Sequence, residues 1–217
     1  MQVRVKLCGL TTPAAVTAAV AYRADAVGFV FSDSPRRLSV DEALELAVRL
    51  PPAITSVAVF RHPDRAEVAE VVAKLRPRVV QSEPDEGLIE LLDPEMVFLP
   101  VFHDGPEVVS EVERYQRDRN DGRTILLLEG PGRGGRGVAP DWSRAAELAR
   151  DHSLVLAGGL DPDNVAEATR RVRPWAVDVS SGVESAPALK DPGRIARFIA
   201  AVRRTEAEIR RPEEIRR

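Results

Sequence analysis

The hydrophobic positions of this 217-residue chain fall into two kinds of segment that alternate along it. Short, β-branched, mostly apolar runs recur every few tens of residues: Val3 to Cys8, Ala26 to Phe31, Ile54 to Phe60, Arg78 to Gln81, Met96 to Val101, Thr124 to Leu128, Leu154 to Ala157 and Trp175 to Val179. Runs such as Ala26-Val27-Gly28-Phe29-Val30-Phe31 and Ile125-Leu126-Leu127-Leu128 have no polar face. That pattern suits a strand buried on both sides, the situation in a parallel sheet. Between the runs lie helix-like segments with start signals. Thr12-Pro13 offers a cap followed by a proline at the first helical position. Ser39 and Glu42 have the spacing of a capping box before Ala43-Leu44-Glu45-Leu46-Ala47. Asp64 with Glu67, and Asp161-Pro162, repeat the same logic.

Eight runs in 217 residues leave about 27 residues per unit, enough for a compact right-handed strand–helix–strand connection. Eight such units close as a small (β/α)8 barrel, a TIM barrel of the α/β class, expected as a single domain over residues 1–202. The last stretch, 203–217, is almost all charge and reads as a C-terminal extension, helical or frayed. A doubly wound open sheet is the alternative; against it, no G-x-G-x-x-G follows the first run.

Composition narrows the class of function. A net charge of −3 argues against a nucleic-acid binder. No apolar run approaches the ~18 residues needed to span a bilayer, and the alternating N-terminus lacks a signal-peptide core. No membrane partner is expected, and the cytoplasm is the expected location. The single cysteine, Cys8, excludes an intramolecular disulfide and a cysteine-based zinc cage. His62, His103 and His152 are scattered without metal-ligand spacing, so no metal site is expected.

In such a barrel the active site lies at the C-terminal ends of the strands. That rule selects Lys6-Leu7-Cys8-Gly9, Ser34-Pro35-Arg36, Glu129 with the glycine-rich stretch Gly130 to Gly137, Gly158-Gly159, and Asp178-Val179-Ser180-Ser181-Gly182-Val183-Glu184. Glycines at three consecutive strand ends suit a phosphate, because backbone N–H groups can approach an anion there. The bland alternative is tight turns. Cys8 is a candidate base or nucleophile, although a lone cysteine is more often an inert small hydrophobe. Lys6, two residues earlier, points to the same side of the strand, and its charge is expected to lower the thiol pKa.

The motifs Lys6-Leu7-Cys8-Gly9-Leu10-Thr11, Gly28-Phe29-Val30-Phe31 with Ser34-Pro35-Arg36, Leu156-Ala157-Gly158-Gly159-Leu160 with Asn164, and Val177 to Glu184 resemble the phosphoribosylanthranilate isomerase family of tryptophan biosynthesis. The resemblance runs in order from the first strand to about Phe198. It implies an aldose–ketose isomerase that converts N-(5-phosphoribosyl)anthranilate to the 1-amino-1-deoxyketose by an Amadori rearrangement, with no cofactor. It also implies a phosphorylated small molecule as the ligand, and a monomer or weak homodimer as the assembly. By the same resemblance Cys8 is the base and Glu129 occupies the position of the acid. Arg36 faces the anthranilate carboxylate, and Lys6, Gln81 and Asp178 lie near the substrate. Gly135, Gly158, Gly159, Ser181 and Gly182 hold the phosphate. The chain departs from the family twice. The acid is ordinarily aspartate, and the usual Gln-Leu-His-Gly after the fourth strand reads Gln81-Ser82-Glu83-Pro84. These departures keep two alternatives open: a diverged paralogue acting on another aminoaldose phosphate, and a barrel that binds phosphate without catalysis.

Overall fold

The computed structural model describes residues 2–119, 125–132 and 137–214. Eight parallel strands close in chain order into a barrel: β1 (Arg4–Cys8), β2 (Ala26–Val30), β3 (Thr55–Val59), β4 (Val79–Ser82), β5 (Val97–His103), β6 (Ile125–Glu129), β7 (Ser153–Leu156) and β8 (Ala176–Val179). The closing pair is β1 with β8, with Lys6 opposite Asp178. Helices α1 (Pro13–Ala21), α2 (Val40–Ala47), α3 (Arg65–Leu75), α4 (Glu86–Ile89), α5 (Val108–Arg119), α6 (Trp142–Asp151), α7 (Val165–Val172) and α8 (Pro192–Glu214) follow the strands in turn. The eight apolar runs therefore correspond to the eight strands, and the open sheet is ruled out. Among the described residues no helix is long and apolar enough to cross a membrane.

Alternation along each strand divides the core in two. Val5, Leu7, Leu126, Leu128, Val177 and Val179 belong to the large cluster beneath the helices. Leu99, Val101, Leu127, Val155, Ala157 and Ala176 form a small second cluster that fills the barrel interior. Residues in phase with this second set, continued to the strand ends, become the floor and rim of the barrel mouth.

Two helix starts follow the expected chemistry closely. Thr12 accepts from the Ala15 amide at 3.2 Å, with Pro13 opening α1. Ser39 and Glu42 make the reciprocal box, with the Glu42 carboxylate accepting from the Ser39 amide at 2.8 Å. Asp64 caps α3 alone, because Glu67 turns to Arg37 at 3.0 Å. Asp161-Pro162 does not open α7. Asp161 instead accepts from the amides of Asp163 and Asn164, and the helix begins after Asn164. A short polar side chain that captures amides two and three residues ahead makes a turn as readily as a cap.

The expected division at residue 203 falls inside α8, which runs unbroken across it. Thr205 and Glu206 are buried, and Arg203 donates to the Val3 carbonyl and to Asp25. The charges of this stretch pair at helical spacing, as in Arg203–Glu206 and Arg210–Glu206, so the segment packs as a helix with the barrel.

One element has no counterpart in the sequence reading. After β8 the chain makes a single 3-10 turn (Ser181–Val183) and a two-stranded antiparallel hairpin, β9 (Glu184–Ala186) and β10 (Leu189–Lys190).

Candidate active site

A cleft of about 280 Å³ opens at the C-terminal ends of the strands. Its wall takes Cys8 from β1, Arg36 from the loop after β2, Gln81 from β4, Glu129 from β6, Gly158 and Gly159 after β7, and Asp178 and Ser181 from β8 and its turn. Residues separated by as many as 173 positions thus meet in one space, because a closed parallel barrel brings every strand's C-terminal end to the same rim.

Cys8 ends β1 at an inward position and is nearly buried. Burial pushes its thiol above the ordinary value, and the nearby Asp178 carboxylate adds to this; the Lys6 ammonium and Lys190 act in the opposite direction. Lys6 does pull the thiol pKa down, as its position leads one to expect, but burial outweighs it and the net shift is upward. In a low-dielectric site the cost of an unsolvated thiolate exceeds the attraction of one cation that is already paired. That pairing is direct, with Lys6 Nζ 3.0 Å from Asp178 Oδ2 and both side chains buried. Burial alone would lower the Lys6 pKa, but the Asp178 charge and the thiol raise it above the ordinary value. Lys6 itself lies beneath the cleft rather than in its wall, so it meets a ligand only through Asp178 and Cys8. Among the described residues, Asp178 Oδ1 is buried without a hydrogen-bond partner, as is Gln81 Oε1. Both residues line the cleft, where unmatched acceptors await the hydroxyls and N–H groups of a ligand.

Arg36 is held by its neighbours. Ser34 Oγ accepts from the Arg36 amide at 3.1 Å, which shapes the Ser-Pro-Arg turn. The aliphatic stem crosses Gly9, where an added Cβ would come 2.5 Å from Arg36 Cδ. Glycine after Cys8 is thus a space requirement as well as a backbone one, at φ +71°. The guanidinium donates two parallel bonds to Glu184, 2.7 and 2.8 Å long.

The phosphate candidates divide. Gly158, Gly159 and Ser181 line the cleft. A Cβ at Gly159 (φ +60°) would lie 2.7 Å from the Gly137 carbonyl oxygen, so this turn is pressed against the loop after β6. Gly182 does not line the cleft; its Cα packs so closely on Leu160 that a side chain would strike the Leu160 carbonyl. It allows the turns after β7 and β8 to touch and supports the pocket from behind. Gly135, together with Arg133 and Arg136, lies outside the described residues.

Two pairings at the mouth were not legible in the sequence, although Glu83 and Glu184 stand in its motifs. Glu83, two residues beyond Gln81, reaches the wall and approaches His103 Nε2 at 3.5 Å and Arg61 Nε at 3.9 Å. Burial opposes the charged carboxylate, yet the His103 hydrogen bond and surrounding positive charge hold Glu83 below its ordinary pKa. The Glu83 hydrogen bond in turn raises His103, with burial opposing and the Glu129 charge assisting. The two-residue period, carried past the end of β4 from 81 to 83 and along β5 from 101 to 103, was the available signal. The second pairing is Glu184 with Lys190, which the hairpin after β8 brings to the site. Among the described residues no three His, Cys, Asp or Glu side chains converge as metal ligands would.

The arrangement can hold an anion on the glycine turns and a planar carboxylate on Arg36. It also sets a thiol and a carboxyl group three strands apart across the space between them. Comparison with known proteins gives the family. Residues 5–201 match the family model for N-(5'phosphoribosyl)anthranilate (PRA) isomerase. A Pseudomonas fluorescens N-(5'-phosphoribosyl)anthranilate isomerase is 39% identical over 209 residues, 94% of this chain and 97% of its own. The Roseiflexus castenholzii enzyme of the same name is 41% identical, covering 92% and 97%. Phosphoribosyl anthranilate isomerase from Thermotoga maritima superposes with a TM-score of 0.81 at 33% identity, over 93% of this chain and 99% of that one. A phosphoribosyl anthranilate isomerase in complex with reduced 1-(o-carboxyphenylamino)-1-deoxyribulose 5-phosphate gives 0.78 at 33% identity, over the same shares.

Proposed function

The chain belongs to the N-(5'-phosphoribosyl)anthranilate isomerase family and is an isomerase of that class, and we propose that it carries out the Amadori rearrangement with Cys8 as base and Glu129 as acid. The observation that carries the assignment is the shared cleft. Cys8 and Glu129 occupy inward rim positions of β1 and β6, with the candidate carboxylate and phosphate holders on either side. Glu129 donates a proton to the furanose ring oxygen, and the C1'–O bond breaks to give the open-chain iminium. The Cys8 thiolate then removes the proton from C2', and the electron pair flows to the iminium nitrogen. The resulting enolamine tautomerises to the ketone: C1' takes the proton held by Cys8, the C2' hydroxyl gives its proton to Glu129, and acid and base return to their starting states. Acid and base must address different atoms, so placement on separate strands is what the sequence of steps requires.

Gly158, Gly159 and Ser181 receive the phosphate through backbone N–H groups, and Arg36 receives the anthranilate carboxylate. Gln81 and Asp178 turn their unmatched oxygens to the sugar hydroxyls and the amine. Lys6 balances Asp178 and stabilises the thiolate once it forms. The chain is read as a monomer or weak homodimer, since among the described residues the exposed large apolar side chains (Tyr22, Val48, Leu91, Val97, Val138 and Leu189) come from six different elements and loops. A thiol base suits a reducing compartment, which favours the cytoplasm. The test is turnover of freshly made N-(5-phosphoribosyl)anthranilate, followed by loss of its fluorescence. Conversion by the wild type and loss of roughly 10²–10⁴-fold in kcat for Cys8→Ala are expected. A Cys8→Ala rate within threefold of wild type would overturn the base assignment.

A further inference from the structure

Arg36 does not stand alone, and what surrounds it bears on which substrates the cleft accepts. Its Nε and Nη2 groups donate to Glu184 Oε1 and Oε2 at 2.7 and 2.8 Å. Glu184, 7% exposed, also accepts from Lys190 Nζ on β10, again at 2.7 Å. The Lys190 side chain has no solvent exposure at all. Its ammonium also donates to Ser180 O at 3.1 Å and Ser180 Oγ at 3.2 Å. Ser180 Oγ donates to the Cys8 carbonyl at 3.0 Å. A continuous chain of hydrogen bonds thus runs from the guanidinium, through the hairpin, to the end of β1.

Orientation and charge both follow from this arrangement. An arginine on a rim loop samples many rotamers; one gripped along its Nε–Nη2 edge keeps one. Glu184 uses two of the five guanidinium N–H groups, leaving both on Nη1 and one on Nη2 for a planar acceptor. A carboxylate set against an arginine would ordinarily cancel its attraction for an anionic ligand. Here Lys190 restores it, since two cations and one anion leave the cluster with a net charge of +1. A fully buried ammonium is costly, and burial lowers the Lys190 pKa against the pull of Glu184. A hairpin anchor by itself calls for no second cation.

We propose that Glu184 and Lys190 form a positioning clamp that presents Arg36 to a planar carboxylate and thereby sets the selectivity for carboxylated over carboxyl-free ring substrates. The inference rests on Arg36 being the carboxylate's partner, and the experiment separates the two. Steady-state kcat and KM are measured for N-(5-phosphoribosyl)anthranilate and N-(5-phosphoribosyl)aniline, both freshly made, and the selectivity is the ratio of their kcat/KM values. The proteins are wild type, Glu184→Gln, Glu184→Asp, Arg36→Ala and the double variant Arg36→Ala/Glu184→Gln.

Glu184→Gln is expected to lower the selectivity about ten- to a hundredfold, through KM for the carboxylated substrate. Glu184→Asp restores part of it, and in the Arg36→Ala background Glu184→Gln has no further effect on the ratio. A merely structural glutamate would move both substrates together. If Arg36→Ala collapses the ratio while Glu184→Gln leaves it unchanged or raises it, the clamp is refuted. If Arg36→Ala itself leaves the ratio unchanged, the reading of Arg36 fails instead, and the clamp with it. Should Glu184→Gln not fold, Glu184→Asp carries the same comparison: the ratio must fall with Arg36 present and stay constant without it.

Discussion

Replacing Glu184 by glutamine should destabilise the barrel by an amount that depends on pH, and the structure sets both the size and the window. Burial works against the ionised carboxylate, but the Arg36 and Lys190 hydrogen bonds and charges outweigh it, lowering the pKa from 4.5 to about 2. A carboxyl group with a depressed folded-state pKa contributes stability that is present above its unfolded value and lost as pH falls through the folded one. The window therefore runs from about pH 4.5 down to about 2. At about 1.4 kcal/mol per tenfold change, the full contribution is about 3 kcal/mol. The cluster sits near the open mouth of the barrel, and solvent screening trims this to roughly 2–3 kcal/mol. By pH 3 more than half of it should be gone. The measurement is urea unfolding followed by circular dichroism at pH 6, 5, 4 and 3, comparing wild type with Glu184→Gln. The stability difference should be largest at pH 6 and shrink by about 1.5 kcal/mol toward pH 3. Glu42, Glu83, Asp104 and Asp141 also have lowered pKa values, but both proteins share them and they cancel in the difference. A difference that stays constant from pH 6 to pH 3 would show that the Glu184 carboxylate draws no net stability from Arg36 and Lys190.

Alkylation of Cys8 by iodoacetamide should rise about tenfold per pH unit through the neutral range, with a midpoint above that of an ordinary thiol. Lys6→Met should move that midpoint higher still, and a midpoint below 8 in the wild type would contradict the dominance of burial. Glu129→Gln should lose about 10²-fold or more in kcat if the carboxyl is the acid, whereas full activity in that variant rules it out. Glu129→Asp reads substrate fit: a faster aspartate variant on N-(5-phosphoribosyl)anthranilate marks the glutamate as tuned to a different aminoaldose phosphate. Gly159→Ala places a Cβ at φ +60° against the Gly137 carbonyl and should cost about 1–3 kcal/mol in unfolding free energy, together with a raised KM. Crystals grown with sulfate should show an anion between Gly158-Gly159 and Ser181, and density only elsewhere would count against that phosphate site.

The periodic features are legible in the amino-acid sequence alone. Continuous apolar runs in a short-unit repeat specify strands buried on both faces, and eight of them between helices specify the barrel. Caps at Thr12, Ser39 and Asp64 were legible because a cap bonds within three residues of itself. That Cys8, Gly158, Gly159 and Ser181 lie at the cleft was legible because the fold rule assigns strand ends to the barrel mouth, and the motif match picked them out there. How these groups meet is a product of the folded barrel. The partner of Arg36 lies 148 positions away, and the partner of Lys6 lies 172 away. No local pattern encodes a contact at that separation; the closed rim creates it. The same holds for the rise in the Cys8 pKa, which depends on how much solvent the folded barrel removes and not on the neighbouring lysine that the sequence displays. Lys190 is the clearest case. In the sequence it is one of three lysines in a charged chain, and it becomes a buried cation only because the hairpin after β8 folds it under Arg36, where Glu184 and Ser180 replace the water it has lost.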